Sequence, residues 1–449
     1  MGRVALKEFP AFLDTIQSLD LVLSRLTPKP SFTIEELLSD PSVSQEKISD
    51  AEVTQPLCTA IQIALVDLFA LWNITPLVSI GHSSGEIGAA YASGLVSAPE
   101  AIVAAFCRGR AVKEFSTAGS MLAVGLGASE VEEYLGSDTS KVCIACENSP
   151  SSVTLSGDAE SISQLGADLT SKGIFARELK TGRAYHSPHM ATVGVEYDEI
   201  LRQSTLTLRA QDLDWRRPRT EMVSSVTGER ITSNTLPSGY WSANLRQRVL
   251  FSTAVHRMAT DDQFSQVVSM IEIGPHAALS GPFKQICMAN KLDRFTYTPS
   301  LVRNKNDADQ ILSVAGSMYL SGYAVAFEEV NSDLQQGAIN TRKPNTQYLL
   351  TDLPPYQWNY GKKYWAEPRG SAEQRGRVYD RHDLLGSRVS GLSDASKIWR
   401  NILRQRDVPW LKDHTVSDPR SLLTKTGPCA NIDTSLVVLP SFLLLATCL

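Results

Sequence analysis

The chain has 449 residues, 43% of them hydrophobic, with 48 acidic side chains against 43 basic ones for a net charge of −5. That length can hold two or three domains around a large core, and a mildly acidic chain without a dense basic block excludes a nucleic-acid surface. Seven scattered cysteines, odd in number and without a signal peptide, read as reduced thiols of a cytoplasmic protein rather than a disulfide framework.

Residues 5–26 place Leu6, Phe9, Phe12, Leu13, Ile16, Leu19 and Leu23 at helical spacing, with a break expected at Pro10. A second helix is predicted over 54–72, with Leu57, Ala60, Ile61, Ala64, Leu65 and Leu68 on one face and Pro56 in its first turn. The apolar run Pro76-Leu77-Val78-Ser79-Ile80 reads as a strand. Gly81-His82-Ser83-Ser84-Gly85-Glu86 follows it, then the helix-prone stretch from Ile87 to Ala92, then a third helix from Pro99 to about Phe115. This is an α/β pattern, parallel strands covered by helices on both faces.

A G-x-S-x-G between a strand and a helix makes a sharp elbow that leaves the Ser83 hydroxyl exposed. The Ser84 backbone N–H then lies at a helix N-terminus, where unpaired donors and the helix dipole favour a developing negative charge. Ser83 is therefore a candidate nucleophile for acyl transfer. A chance pentapeptide in a loop is the alternative, and the flanking strand and helix argue against it.

From Ser120 to His186 the rhythm changes. Strands are predicted at 121–124, 142–145, 152–157 and 175–179, and helices over 128–135 and 158–171, which suits a small inserted α+β subdomain with a cleft beside the larger one. Cys143 and Cys146 form a lone C-x-x-C inside a strand-like run, and no second pair completes a zinc site, so they read as structural.

A serine nucleophile needs a base. Among the seven histidines His82 should point away from Ser83, while His186, His189 and His276 remain equal candidates on spacing alone. Seven segments then occur in the order and spacing of malonyl-CoA:acyl-carrier-protein acyltransferase domains. They are Gly81 to Glu86, Cys107-Arg108-Gly109-Arg110, Glu147 to Pro150, Ser152 to Asp158, Tyr185-His186-Ser187, Tyr240 to Arg246 and Glu272 to His276. More narrowly, the chain resembles the acyltransferase segment of a fungal highly reducing iterative polyketide synthase, from about Gly2 to about His414.

The resemblance implies a parallel-sheet, α/β-hydrolase-like acyltransferase subdomain with a ferredoxin-like insertion. It implies Ser83 as nucleophile, His186 as its base in a dyad, the Ser84 N–H in the oxyanion hole, and Arg108 as the clamp for the malonyl carboxylate. A buried acyl carboxylate is costly unless paired, and a planar guanidinium pairs with it through two hydrogen bonds. The implied reaction moves a malonyl group from malonyl-CoA through a seryl-enzyme to the phosphopantetheine thiol of an acyl carrier protein. It uses no metal or redox cofactor, and the implied partners are the carrier protein and other polyketide synthase domains.

Two departures qualify this. The family begins with a strand and a Gly-Gln-Gly loop whose Gln N–H is a second oxyanion donor, whereas this chain opens at Met1-Gly2-Arg3. The expectation is an absent first strand, half an oxyanion hole and impaired activity, one donor being worth roughly a hundred- to a thousandfold. Toward the other end, the Pro- and aromatic-rich 352–368 resembles a post-acyltransferase linker whose aromatics should pack on the acyltransferase rather than form a site of their own. Residues 381–386 and 408–414 resemble the start of a dehydratase, with His414 on its catalytic histidine but without the rest of that fold, so no dehydratase activity is expected.

The expected division is 1–119 with 187–330 for the large subdomain, 120–186 for the small one, 331–376 for the linker, 377–416 for an incomplete hot-dog segment and 417–449 for an aberrant, partly apolar tail. Residues 435–449 fall short of the roughly 17 to 25 needed to span a bilayer and should be disordered or aggregation-prone. The alternative to a working acyltransferase is a non-catalytic remnant of a larger synthase.

Overall fold

The computed structural model describes residues 2–209 apart from 137, 139 and 140, then 217–331, 354–410 apart from 363, 394, 396 and 405, and the strand backbones 432–439 and 442–444. His414 lies outside the described residues. The chain divides into two compact units, 1–344 and 345–449.

In the first unit the N-terminal helical stripe breaks at Phe9 into helices Arg3–Glu8 and Pro10–Ser24. Pro10 opens the second, where a helix has no use for the missing N–H. The next long helix, Ala51–Leu71, starts earlier than its apolar pattern suggests because the Asp50 carboxylate caps it, accepting the Glu52 N–H at 3.0 Å. Pro56 consequently sits inside the helix, not in its first turn, and leaves the Glu52 carbonyl without its usual partner four residues on. This helix is long and apolar enough to cross a membrane, but 67% of its most apolar window is buried. Its hydropathy is that of a core helix, packed with Pro10–Ser24 and with Ala98–Phe115. The latter is started by a Ser97/Glu100 capping box.

Among the described residues of this unit the strands are β1 (Val78–Ile80), β2 (Ser120–Val124), β3 (Val142–Ser149), β4 (Ser152–Gly157), β5 (Ala176–Leu179), β6 (Glu221–Val223), β7 (Ser269–Glu272) and β8 (Thr296–Pro299). β2 to β5, with helices Ala128–Val131 and Ala159–Ser171, trace a β-α-β-β-α-β course. Their order is β3-β4-β2-β5 with every neighbour antiparallel, the ferredoxin-like arrangement. This layer closes over its own core of Leu122, Val124, Ile144, Val153, Leu155 and Ile162.

The parallel part of the fold is two ribbons, β1 with β6 and β7 with β8, and no strand among the described residues joins them. Every residue of β1 and β7 is only half-buried, although parallel strands are ordinarily covered on both faces. Helix Ala51–Leu71 spans the two: Gln62 donates to the Ile273 carbonyl just beyond β7 at 3.2 Å and packs closely against Gly88 of the helix after β1.

The second unit carries helix Arg369–Arg375 and an antiparallel sheet of β9 (Ser387–Arg388), β10 (Ile398–Leu403), β11 (Ile432–Leu439) and β12 (Phe442–Leu444), ordered β12-β11-β10-β9. In the tail, β11 pairs with β10 from Val437↔Ile398 to Ile432↔Leu403, a Val- and Leu-rich run satisfying its backbone as a strand. Tyr356, Trp358, Tyr360, Tyr364 and Trp365 are exposed, in a stretch without regular structure, with Tyr356 and Trp358 tilted against each other at 4.7 Å.

Candidate active site

The elbow is built by β1 and helix Gly85–Ala92 with Ser83 at the corner, at φ 54°. A left-handed backbone costs a side-chain-bearing residue about 1 kcal/mol and persists only where neighbours hold it. Here the Ser83 carbonyl accepts from the Glu86 N–H at 3.1 Å and from Asn244 Nδ2 at 3.1 Å. The two glycines of the motif differ in their reason. A Cβ on Gly81 would lie 2.2 Å from the Glu86 Cα, whereas one on Gly85 would meet only Gln62 Nε2 at 3.6 Å.

Glu86 pins the elbow from behind. Fully buried, it accepts the Ser225 N–H at 3.1 Å, the Ser225 hydroxyl at 2.8 Å and the Tyr240 hydroxyl at 2.6 Å. Burial raises its carboxyl pKa, and these donors oppose the rise. The Ser84 N–H has no hydrogen-bond partner among the described residues, and Ser84 is the N-cap of the elbow helix.

His186 meets Ser83: Nε2 is 2.7 Å from Ser83 Oγ, and Nδ1 is 3.0 Å from the Gln247 carbonyl oxygen. A carbonyl can only accept, so the proton is on Nδ1 and Nε2 presents its lone pair to the serine hydroxyl. Burial, then Arg108 and His82, push the imidazole pKa down to about 3, which keeps the ring neutral. His186 also has positive φ, 58°, and its N–H donates to the Leu245 carbonyl.

The other histidine candidates are elsewhere. His189 bonds Asp158 and Thr117, His276 accepts the Arg303 N–H, and His82 turns to Asn148 Oδ1 at 2.8 Å and the edge of Phe251. Cys143 and Cys146 are unpaired thiols of β3, and burial pushes Cys146 up to about 12. Among the described residues no group of three or more His, Cys, Asp or Glu is arranged to hold a metal ion.

Arg108 comes from helix Ala98–Phe115 and is fully buried. Its Nη2 lies 3.5 Å from Ser83 Oγ, its Nη1 donates to Asn244 Oδ1, and its Nε has no partner. No carboxylate among the described residues pairs with it, and desolvation lowers its pKa. Ser83, His186 and Arg108 therefore converge within hydrogen-bonding reach, with the Ser84 N–H beside them. Local sequence patterns carry no signal for Asn244, the Gln247 carbonyl or Glu86 as parts of the site. Asn244 lies inside the Tyr240 to Arg246 segment, but no spacing rule brings residue 244 to residue 83.

This fold, a parallel α/β layer carrying an inserted β-α-β-β-α-β layer, is the one seen in solved acyltransferase domains. The chain belongs to the acyl transferase domain family, which matches residues 1–325. It is 45% identical over 421 residues to the reducing polyketide synthase DEP5 of Alternaria brassicicola, covering 93% of this chain and 17% of that protein. To the reducing polyketide synthase BOA9 of Botryotinia fuckeliana it is 42% identical over 441 residues, covering 95% and 19%. The chain thus spans less than a fifth of these relatives. Among solved structures, the acyltransferase domain from the second module of the salinomycin polyketide synthase has a TM-score of 0.63 at 24% identity, covering 76% of this chain and 75% of that one. A loading acyltransferase from the avermectin synthase has 0.61 at 23%, covering 71% and 95%. These share its fold.

Proposed function

We propose that the chain transfers a malonyl group from malonyl-CoA to the phosphopantetheine thiol of an acyl carrier protein, within polyketide synthesis in the cytoplasm. The observation that carries this reading is Arg108: a buried guanidinium without a carboxylate partner, 3.5 Å from the serine hydroxyl. Such a charge is costly to bury alone, and an acyl chain ending in a carboxylate completes it.

The reaction runs in two halves. Ser83 Oγ attacks the thioester carbonyl while its proton passes to His186 Nε2, and the Ser84 N–H holds the oxyanion. The tetrahedral species collapses, the C–S bond breaks, and coenzyme A leaves with the proton from His186. The pantetheine thiol then gives its proton to His186, attacks the seryl ester and carries off the malonyl group, restoring the Ser83 hydroxyl.

The test is incubation with labelled malonyl-CoA and mass spectrometry of the Ser83 peptide. A malonyl adduct on Ser83, lost in Arg108→Ala by roughly 10- to 100-fold while acetyl loading is spared, supports the reading. Equal loss with both thioesters removes the clamp. No adduct at all leaves a non-catalytic chain.

A further inference from the structure

The residue that holds Arg108 also holds the nucleophile. Asn244, 2% exposed on helix Tyr240–Arg246, accepts from Arg108 Nη1 with its Oδ1, and its Nδ2 donates to the Ser83 carbonyl at 3.1 Å. One amide therefore ties the buried guanidinium to the strained corner of the elbow. It also decides which donors remain. With Nη1 engaged by Asn244 and Nη2 making only a long 3.5 Å contact to Ser83 Oγ, the Nε/Nη2 edge, whose Nε has no partner, is the edge best placed to give two hydrogens. A carboxylate takes two parallel hydrogen bonds from such an edge.

We propose that Asn244 is a positioning residue for substrate selection: it turns the Nε/Nη2 edge of Arg108 toward the acyl carboxylate and sets its distance from Ser83. This rests on the reading of Arg108 given under Proposed function. The role separates from simple support of the elbow, because support would affect every acyl group alike, whereas orientation of the guanidinium matters only to an acyl chain that carries a carboxylate.

The experiment measures initial rates of Ser83 acylation by mass spectrometry in the full chain, from malonyl-CoA and from acetyl-CoA, for the wild type, Arg108→Ala, Asn244→Ala and Asn244→Asp. The expected result is a malonyl-to-acetyl rate ratio about tenfold lower in Asn244→Ala, the acetyl rate also falling as the Ser83 carbonyl loses a hydrogen bond, but by less than the malonyl rate. Asn244→Asp, the same size, should lower the ratio further, since its own carboxylate competes for Arg108; it keeps the test open if the alanine variant does not fold. Equal losses with both thioesters, or an unchanged ratio in both variants, overturn the assignment of Asn244 while leaving the clamp intact, provided that Arg108→Ala still abolishes the preference. A wild type without preference for malonyl, or an Arg108→Ala that retains it, overturns the reading beneath and this proposal with it.

Discussion

At the scale of single residues, the Ser83–His186 pair is held in backbone conformations that side chains avoid, Ser83 at φ 54° and His186 at φ 58°. The Gln247 carbonyl accepts from Nδ1–H where a triad would place a carboxylate, and as an uncharged acceptor it stabilises an imidazolium less than a carboxylate would. His186→Ala should reduce Ser83 malonylation to background in the mass-spectrometric assay; fast labelling of that variant would mean another base. The ring also links stability to pH. Its folded pKa of about 3 lies below the ordinary 6.5, so below pH 6.5 the unfolded chain takes up a proton that the folded chain refuses. Stability should therefore fall as pH drops from 6.5 toward 3, with no contribution from this group above 6.5. Melting temperatures between pH 7 and pH 5 should decline less steeply in His186→Gln than in the wild type, and equal slopes would acquit the histidine.

At the scale of elements, the elbow depends on how closely its helix returns to the strand it follows. The two motif glycines, symmetrical in sequence about Ser83, are not equivalent in space. Gly81→Ala drives a methyl into the backbone of Glu86, with no flexible group to move aside. It should cost more than about 3 kcal/mol and abolish Ser83 acylation. Gly85→Ala meets an ordinary contact at the first residue of a helix, where alanine is the better helix former, and should stay within about 1 kcal/mol of the wild type. Thermal unfolding of the two variants checks this contrast, and comparable losses would show that the elbow needs freedom at both positions.

At the scale of the whole molecule, the small antiparallel layer is one four-stranded sheet, whereas among the described residues the parallel layer is two separate ribbons. There β1 and β7 each have a single partner strand and half-exposed residues, although a parallel sheet gains its stability from being continuous and covered.

Much of this was legible in the residues. The elbow, the helices around it and the β-α-β-β-α-β order of the small layer follow from local periodicity, turn chemistry and small residues at close approaches, which are properties of neighbours in the chain. The apolar pattern misplaced the start of helix Ala51–Leu71, since a cap at Asp50 outweighs it, and gave no hint that the tail would find a strand partner in β10. Spacing could not choose between His186, His189 and His276, because a base is defined by what it faces, and His186 faces Ser83 across 103 positions of sequence. Nor could it find Asn244, 161 positions from the carbonyl it holds. The sequence by itself determined which chemistry the chain can carry. Tertiary structure decided which groups meet, which tautomer the histidine adopts and that the arginine is buried without a countercharge, because these depend on contacts between segments that no local pattern encodes.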